Sequence, residues 1–439
     1  MVKEGHKSKR IFYGWYILAG GFVILLVAWG IRLSFGVFFK PVLEDFALSR
    51  AGLSLAVSIN AVVYGITQPV WGYLLDRYGP KFAIGLSATL TSSGFVLLGL
   101  AKASWQLYLI FALLLGGGFG GVAFVTITAI ISRWFVKRRG TALGVATSGS
   151  SLGQFIVVPL ATLLMLKYGW RMSQLLLGLI SFAIMIPVAL WIMRGEPAEV
   201  GSVPDGNPGA NQSGDGKKEA GPGVPASTRP AQAFLTSSFW ELAGGFFVCG
   251  FTSVMVSTHF VAYATDVGHS EVTAASALAL MGVFNTVGTI FYGSVSDWIG
   301  CRRPLAVVYF LRGLSYFLVL GTPSVASLYF FAIFNSLNTM ATVPLNSALV
   351  SNIFGPAYVG TIFGVVSLSH QLGGAVGTYL AGLSFDLTGN YVYAFVISIF
   401  LCLVAALLSW LIQERPKIAW MGTAPSASQA LSPRPGGES

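Results

Sequence analysis

Long apolar blocks and short polar breaks alternate along the whole chain. Cutting at glycine, proline and charge clusters leaves twelve apolar stretches, near 14–39, 51–75, 82–101, 105–131, 139–165, 172–193, 236–262, 272–296, 304–321, 325–351, 358–382 and 391–413. A helix rises about 1.5 Å per residue, so roughly 20 such residues cross the hydrocarbon of a bilayer. Helices satisfy their own backbone polar groups, and these stretches are therefore expected to be membrane spans. Only 10% of residues are charged while 54% are hydrophobic, against about 25% charged in a soluble domain. The first block is too long for a cleavable leader and follows Lys3, Lys7, Lys9 and Arg10, so it reads as the first span.

Two regions break the pattern. Residues 195–235 are rich in Gly, Pro, Ser and Asn, cannot bury a core, and are expected to be a disordered cytoplasmic linker. It separates six spans in residues 1–194 from six in 236–414, and the tail 415–439 is expected to be disordered on the same grounds.

The two halves repeat one another. Gly72, Asp76 and Gly79 return as Gly293, Asp297 and Gly300, each 221 residues later. Gly140, Gly144 and Gly153 return as Gly360, Gly364 and Gly373, each 220 later. A repeat at half the chain length in so apolar a protein implies two homologous bundles facing one another, with a substrate between them. The repeated loops have a mechanical reading. Gly72 and Gly293 let helices approach closely, while Asp76 and Asp297 pair with arginine or accept bonds from a neighbouring helix N-terminus. With Arg77 and Arg302 these residues are expected to form a latch that holds the outward-open state.

The net charge of +10 follows topology and does not suggest nucleic acid. With the N-terminus inside, the cytoplasmic loops gather most of the Lys and Arg, and the outer loops hold Lys40, Arg50, Lys102, Lys167 and Arg171. That asymmetry places both termini in the cytoplasm of a cell with this protein in its inner or plasma membrane. The three cysteines show no metal or redox spacing, and neither a metal nor a cofactor is expected.

The duplicated loop resembles the signature of the major facilitator superfamily, G-x-x-x-D-R-x-G-x-K/R. That resemblance implies an all-α membrane fold of twelve helices in two pseudo-symmetric six-helix bundles working by alternating access. Tyr13-Gly14-Trp15 before helix 1, Ser34 to Phe39 at its end, and Trp134-Phe135-Val136-Lys137-Arg138-Arg139-Gly140 before helix 5 look like the branch of monocarboxylate transporters and oxalate/formate exchangers. In that branch a functional lysine of helix 1 falls at Arg32 or Leu33, and an anion-binding lysine of helix 11 falls near His370. The aspartate and arginine that monocarboxylate transporters carry in helix 8 are replaced by Asn285 and Thr289, which argues against a simple lactate/proton mechanism.

An ionisable residue in mid-bilayer is costly unless it faces the bundle interior. Here the group is Arg32, His259, Arg312 and His370, and no Asp or Glu lies in the central third of a span. An arginine without an acidic mate suits a substrate carboxylate, which it can hold with two hydrogen bonds. Arg32 can alternatively snorkel to the surface. His370 is read either as an anion ligand that also carries the coupled proton, since histidine titrates close to physiological pH, or as a neutral hydrogen-bonding residue. Arg312 is expected to pack against a helix-end or loop acid, and His259 to be structural or a gate. Asn60, Tyr64, Gln154, Asn285 and Asn338 are the uncharged candidates for the substrate site, and each could instead join helices. Phe119 and Phe124 are expected to pack, and the run Gly116–Gly121 to bend helix 4.

The reading is a monomeric secondary transporter of a small organic anion, a monocarboxylate foremost, coupled to protons or a counter-anion. The alternatives are an exporter of amphipathic or drug-like compounds and a non-transporting membrane sensor. No mid-membrane cluster suggests an enzyme.

Overall fold

The computed structural model describes residues 12–48, 50–205, 228–320 and 324–414. Twelve long helices are found among them. They are α1 (Gly14–Asp45), α2 (Arg50–Tyr78), α3 (Pro80–Leu100) and α4 (Ser104–Trp134). A helical run Arg139–Ile192 follows, and Gly169, at φ 76°, splits it into α5 (139–168) and α6 (170–192). The second half holds α7 (Ser237–Asp266), α8 (Glu271–Ile299) and α9 (Arg302–Ser315), with a tight turn Tyr316–Val319 extending α9. It ends with α10 (Val325–Phe354), α11 (Val359–Thr388) and α12 (Val392–Leu411). By length and hydropathy nine of the described runs could cross a membrane, one of them holding both α5 and α6. α2, with Asn60 and Gln68 along it, and the short α9 fall below that mark.

The repeated glycines explain how the helices are paired. Gly153 of α5 lies against the carbonyl of Leu26 in α1, and Gly373 of α11 lies against the carbonyl of Phe247 in α7. Leu26 and Phe247 are themselves 221 residues apart, so both bundles use one internal contact, α1 on α5 and α7 on α11. Between the bundles, Gly72 of α2 meets the backbone of Gly360 in α11, and Gly293 of α8 meets that of Gly140 in α5. A methyl group at any of these positions would overlap a carbonyl. Close backbone approach matters here because lipid offers no hydrophobic drive for helices to associate.

All six latch residues lie at the end of the bundle where both halves start and finish, called the base below. The chain from 195 to 205 also folds against the base, with a tight turn at Pro197–Val200 and Asp205 beneath the α4–α5 connection. Asp205 accepts the N–H of Val136, of Lys137 at 3.0 Å and of Arg138 at 2.9 Å. A short helix, Pro230–Ala233, precedes α7. The ends of 195–235 are thus structured where the sequence suggests disorder: at the first, a single aspartate satisfies three otherwise free amides, and at the second the N–H of Thr228 donates to the carbonyl of Phe354 at 2.8 Å. Residues 206–227 and the tail 415–439 lie outside the described residues.

Candidate functional site

Between the bundles lies a cavity of about 380 Å³. Helix α4 shapes one wall. Its glycine run does bend it: wide turns span Ile110–Gly116, a tight turn spans Gly120–Val122, and Ala123 is extended. Trp71 Nε1 donates to the freed carbonyl of Gly117 at 2.6 Å. The bend carries Phe119 and Phe124 toward α1, where Trp29 stacks on Phe124 with centroids 4.9 Å apart and meets Phe119 edge-on at 5.4 Å.

Arg32 emerges from this aromatic wall. Its guanidinium lies 4.7 Å from the ring centre of Tyr64 on α2 and 4.5 Å from that of Phe119. The two π faces favour the cation. Arg32 lines the cavity, so the snorkelling alternative is not what the fold adopts. Tyr64, Gln154, Asn285 and His370 line the same cavity. His370 on α11 packs against Phe246 of α7 with ring centres 4.8 Å apart. The Oδ1 atom of Asn285 is buried without a hydrogen-bond partner. No Asp or Glu is among the described residues that line the cavity.

Two candidates stand elsewhere. Asn60 Nδ2 donates to the carbonyl of Phe111 at 2.9 Å, repairing the wide turn of α4. Asn338 accepts from Tyr292 of α8 at 2.8 Å and donates to the carbonyl of Phe334 at 2.7 Å. Both amides are consumed by the breaks in α4 and α10, which a linear sequence does not display. Conversely, Phe124 belongs to the cavity wall though the sequence suggests only packing, and so does Trp29, which the sequence does not single out; Phe119 is buried behind them, as the sequence suggests.

α10 breaks between Leu337 and Thr342. Pro344 lacks the N–H that would bind Met340, so the turn before it opens. Arg312 occupies the break. Fully buried, it donates to the carbonyls of Asn338 at 2.6 Å and Thr339 at 2.7 Å, and to Thr252 of α7 at 3.2 Å. The expected acid partner is replaced by helix-end carbonyls. Thr339 and Asn335, which Ser315 next to Arg312 contacts at 2.9 Å, line the cavity. His259 binds the carbonyl of Thr378 at 3.1 Å, joining α7 to α11.

At the base, Asp76 accepts from Gly360 N at 3.2 Å and from the N–H and hydroxyl of Thr361 at 2.6 and 2.7 Å. Asp297 accepts from Gly140 N at 2.7 Å and from the N–H and hydroxyl of Thr141 at 2.8 and 2.7 Å. Each aspartate caps a helix of the opposite bundle. The arginines differ from expectation. Arg77 is exposed and binds Tyr73 one turn back on its own helix, because it points about 100° away from Asp76. Arg302 stacks over Trp410 and donates to the carbonyl of Ile412 at 3.3 Å. The cation beside Asp76 is Arg133 from the end of α4, at 2.6 Å, which also donates to the carbonyls of Pro356 and Ala357.

A charged cavity held between two symmetry-related bundles, with latches at one end, is the build of a solute carrier. The chain belongs to the Major Facilitator Superfamily, whose family model matches residues 18–325 and 242–435. It is 27% identical over 419 residues to the uncharacterized MFS-type transporter YcxA of Bacillus subtilis (strain 168), covering 92% of this chain and 95% of that one. It is 27% identical over 413 residues to monocarboxylate transporter 12 of Mus musculus, covering 90% of this chain and 84% of that one. The fold matches the crystal structure of the E. coli fucose:proton symporter FucP with a TM-score of 0.70 and 17% identity, over 92% of this chain and 100% of that one. The protein is a multi-pass membrane transporter and not an enzyme.

Proposed function

We propose that the protein moves a small organic anion, a monocarboxylate foremost, by alternating access around the central cavity. The observation that carries this reading is Arg32: a cation in the cavity wall, set over the rings of Tyr64 and Phe119, with no acid in the described lining. A guanidinium in that position attracts a carboxylate and can grip both its oxygens. One fixed positive charge suits a monoanion. Relatives named monocarboxylate transporters, which align along nearly the whole chain, support the same class.

In this reading the Asp76 and Asp297 caps hold the cytoplasmic end closed, and their release lets the bundles rock to the inward-facing state. His370, across the cavity on α11, carries the proton when transport is symport. Residues 1–194 and 236–414 move as the two bundles, with both termini cytoplasmic and the chain acting as a monomer.

The test is counterflow in proteoliposomes preloaded with unlabelled monocarboxylates, with protein-free vesicles as the control for passive entry. Accumulation driven by an inside-alkaline gradient indicates proton symport, and flux that needs a trans anion indicates exchange. Silence across the panel, from folded protein, sinks the anion reading in favour of an exporter.

A further inference from the structure

The cavity is larger and greasier than a three-carbon acid requires. Its 380 Å³ falls within the range of about 300–1,000 Å³ seen for pockets that enclose drug-sized ligands. Water occupies about 30 Å³ per molecule in the liquid, so a lactate-sized anion, a few waters in bulk, would leave most of this space to solvent. The lining is also divided. The cation and its aromatic support come from α1, α2 and α4, whereas Val254, Leu278, Met281, Met340 and Val343 bring apolar surface from α7, α8 and α10. A carboxylate held at Arg32 therefore presents the rest of its body to these aliphatic side chains, which are interspersed with Asn285, Asn335, Ser336 and Thr339.

We infer that the ligand is a monocarboxylate with an apolar body of about six to ten carbons, branched or aromatic, whose head binds Arg32 and whose body packs on the α8 and α10 wall. This rests on the anion reading and narrows it. The recognition is chemical complementarity at both ends: charge against the α1 side, buried carbon against Met281 and its neighbours. Each methylene moved from water to such a wall favours binding by about threefold or more. Affinity therefore climbs with chain length until the cavity is full.

Isothermal titration of the purified full chain, at neutral pH where the acids are ionised, tests this with acetate, lactate, butyrate, hexanoate, 4-methylpentanoate and phenylacetate. The expected result is a Kd at least thirtyfold lower for hexanoate or phenylacetate than for lactate, with phenylacetamide failing to bind. Met281→Trp, which fills the apolar side, should weaken hexanoate at least tenfold and narrow the ratio of the hexanoate and lactate Kd values. Leu278→Phe serves the same purpose should the first variant not fold. Lactate binding as tightly as the larger acids overturns this inference and leaves the anion reading standing. Heats from none of the acids overturn both.

Discussion

Asp76 and Thr361 belong to opposite halves of the chain, yet one carboxylate oxygen of Asp76 accepts both the N–H and the hydroxyl of Thr361, at 2.6 and 2.7 Å. Asp297 makes the same pair of bonds to Thr141, at 2.8 and 2.7 Å. Each half thus caps a helix of the other, and in the proposed cycle both caps must break for the base to open. Bonds to an ionised acceptor contribute about 1.5–3 kcal/mol each. Asp76→Asn or Asp297→Asn should therefore shift the closed-to-open ratio at the base by roughly tenfold to a hundredfold. Distance measurements between spin labels on either side of the base would read this, and unchanged distributions in both variants would remove the latch from the mechanism.

A steric version of the same test avoids charge. A methyl on Gly72 would overlap the carbonyl of Gly360, while one on Gly85 meets nothing within 4 Å. Gly72→Ala should open the base and cut exchange at least tenfold, and Gly85→Ala should behave as wild type. Gly293→Ala, facing Gly140, is expected to match Gly72→Ala.

The repeat made this much readable in advance. Glycines and aspartates at matching offsets report backbone contacts, and backbone contacts are fixed by the pairing of helices. The arginines were harder, since Arg77 and Arg133 are equally basic in the sequence. Only the rotation of α2 and the end point of α4 decide which one reaches Asp76. Arg32, Tyr64, Gln154, Asn285 and His370 share the cavity because each lies on the inner stripe of a regular helix. Asn60 and Asn338 escaped because they serve irregular backbone, whose demands appear only once α4 and α10 are seen to break.

Arg312 should behave as a structural cation that also reaches the site. Without it the carbonyls of Asn338 and Thr339 lose their donor in a dry interior. Arg312→Met should lower stability by about 2–6 kcal/mol, since each of the two buried carbonyls left without a donor costs about 1–3 kcal/mol. Arg312→Lys, which keeps the charge but not the fork, should recover part of it. Thermal unfolding in detergent measures the first effect. A raised KM in the Lys variant would show the strain passed on to Asn335 and Thr339 in the cavity lining. A Met variant as stable as wild type would mean that the break in α10 holds without the cation.

Arg32 is the residue on which the proposed substrate class is tested. Its guanidinium carbon lies 4.7 and 4.5 Å from the ring centres of Tyr64 and Phe119, a contact a lysine ammonium makes only as a point charge. Arg32→Lys should keep anion binding with KM raised about tenfold, because the charge survives and the second hydrogen bond does not. Arg32→Gln removes the charge, and with it a bond of about 1.5–3 kcal/mol, so uptake should fall by up to a hundredfold or more. Tyr64→Leu and Phe119→Leu each take away one face of the stack, at about 0.5–2 kcal/mol, and should fall between wild type and the Lys variant or close to it. The order wild type, aromatic variants, Lys, Gln is the signature of a supported cation gripping an anion. If Gln transports as well as Lys, charge is not what the cavity reads, and Arg32 serves only to hold α1, α2 and α4 together.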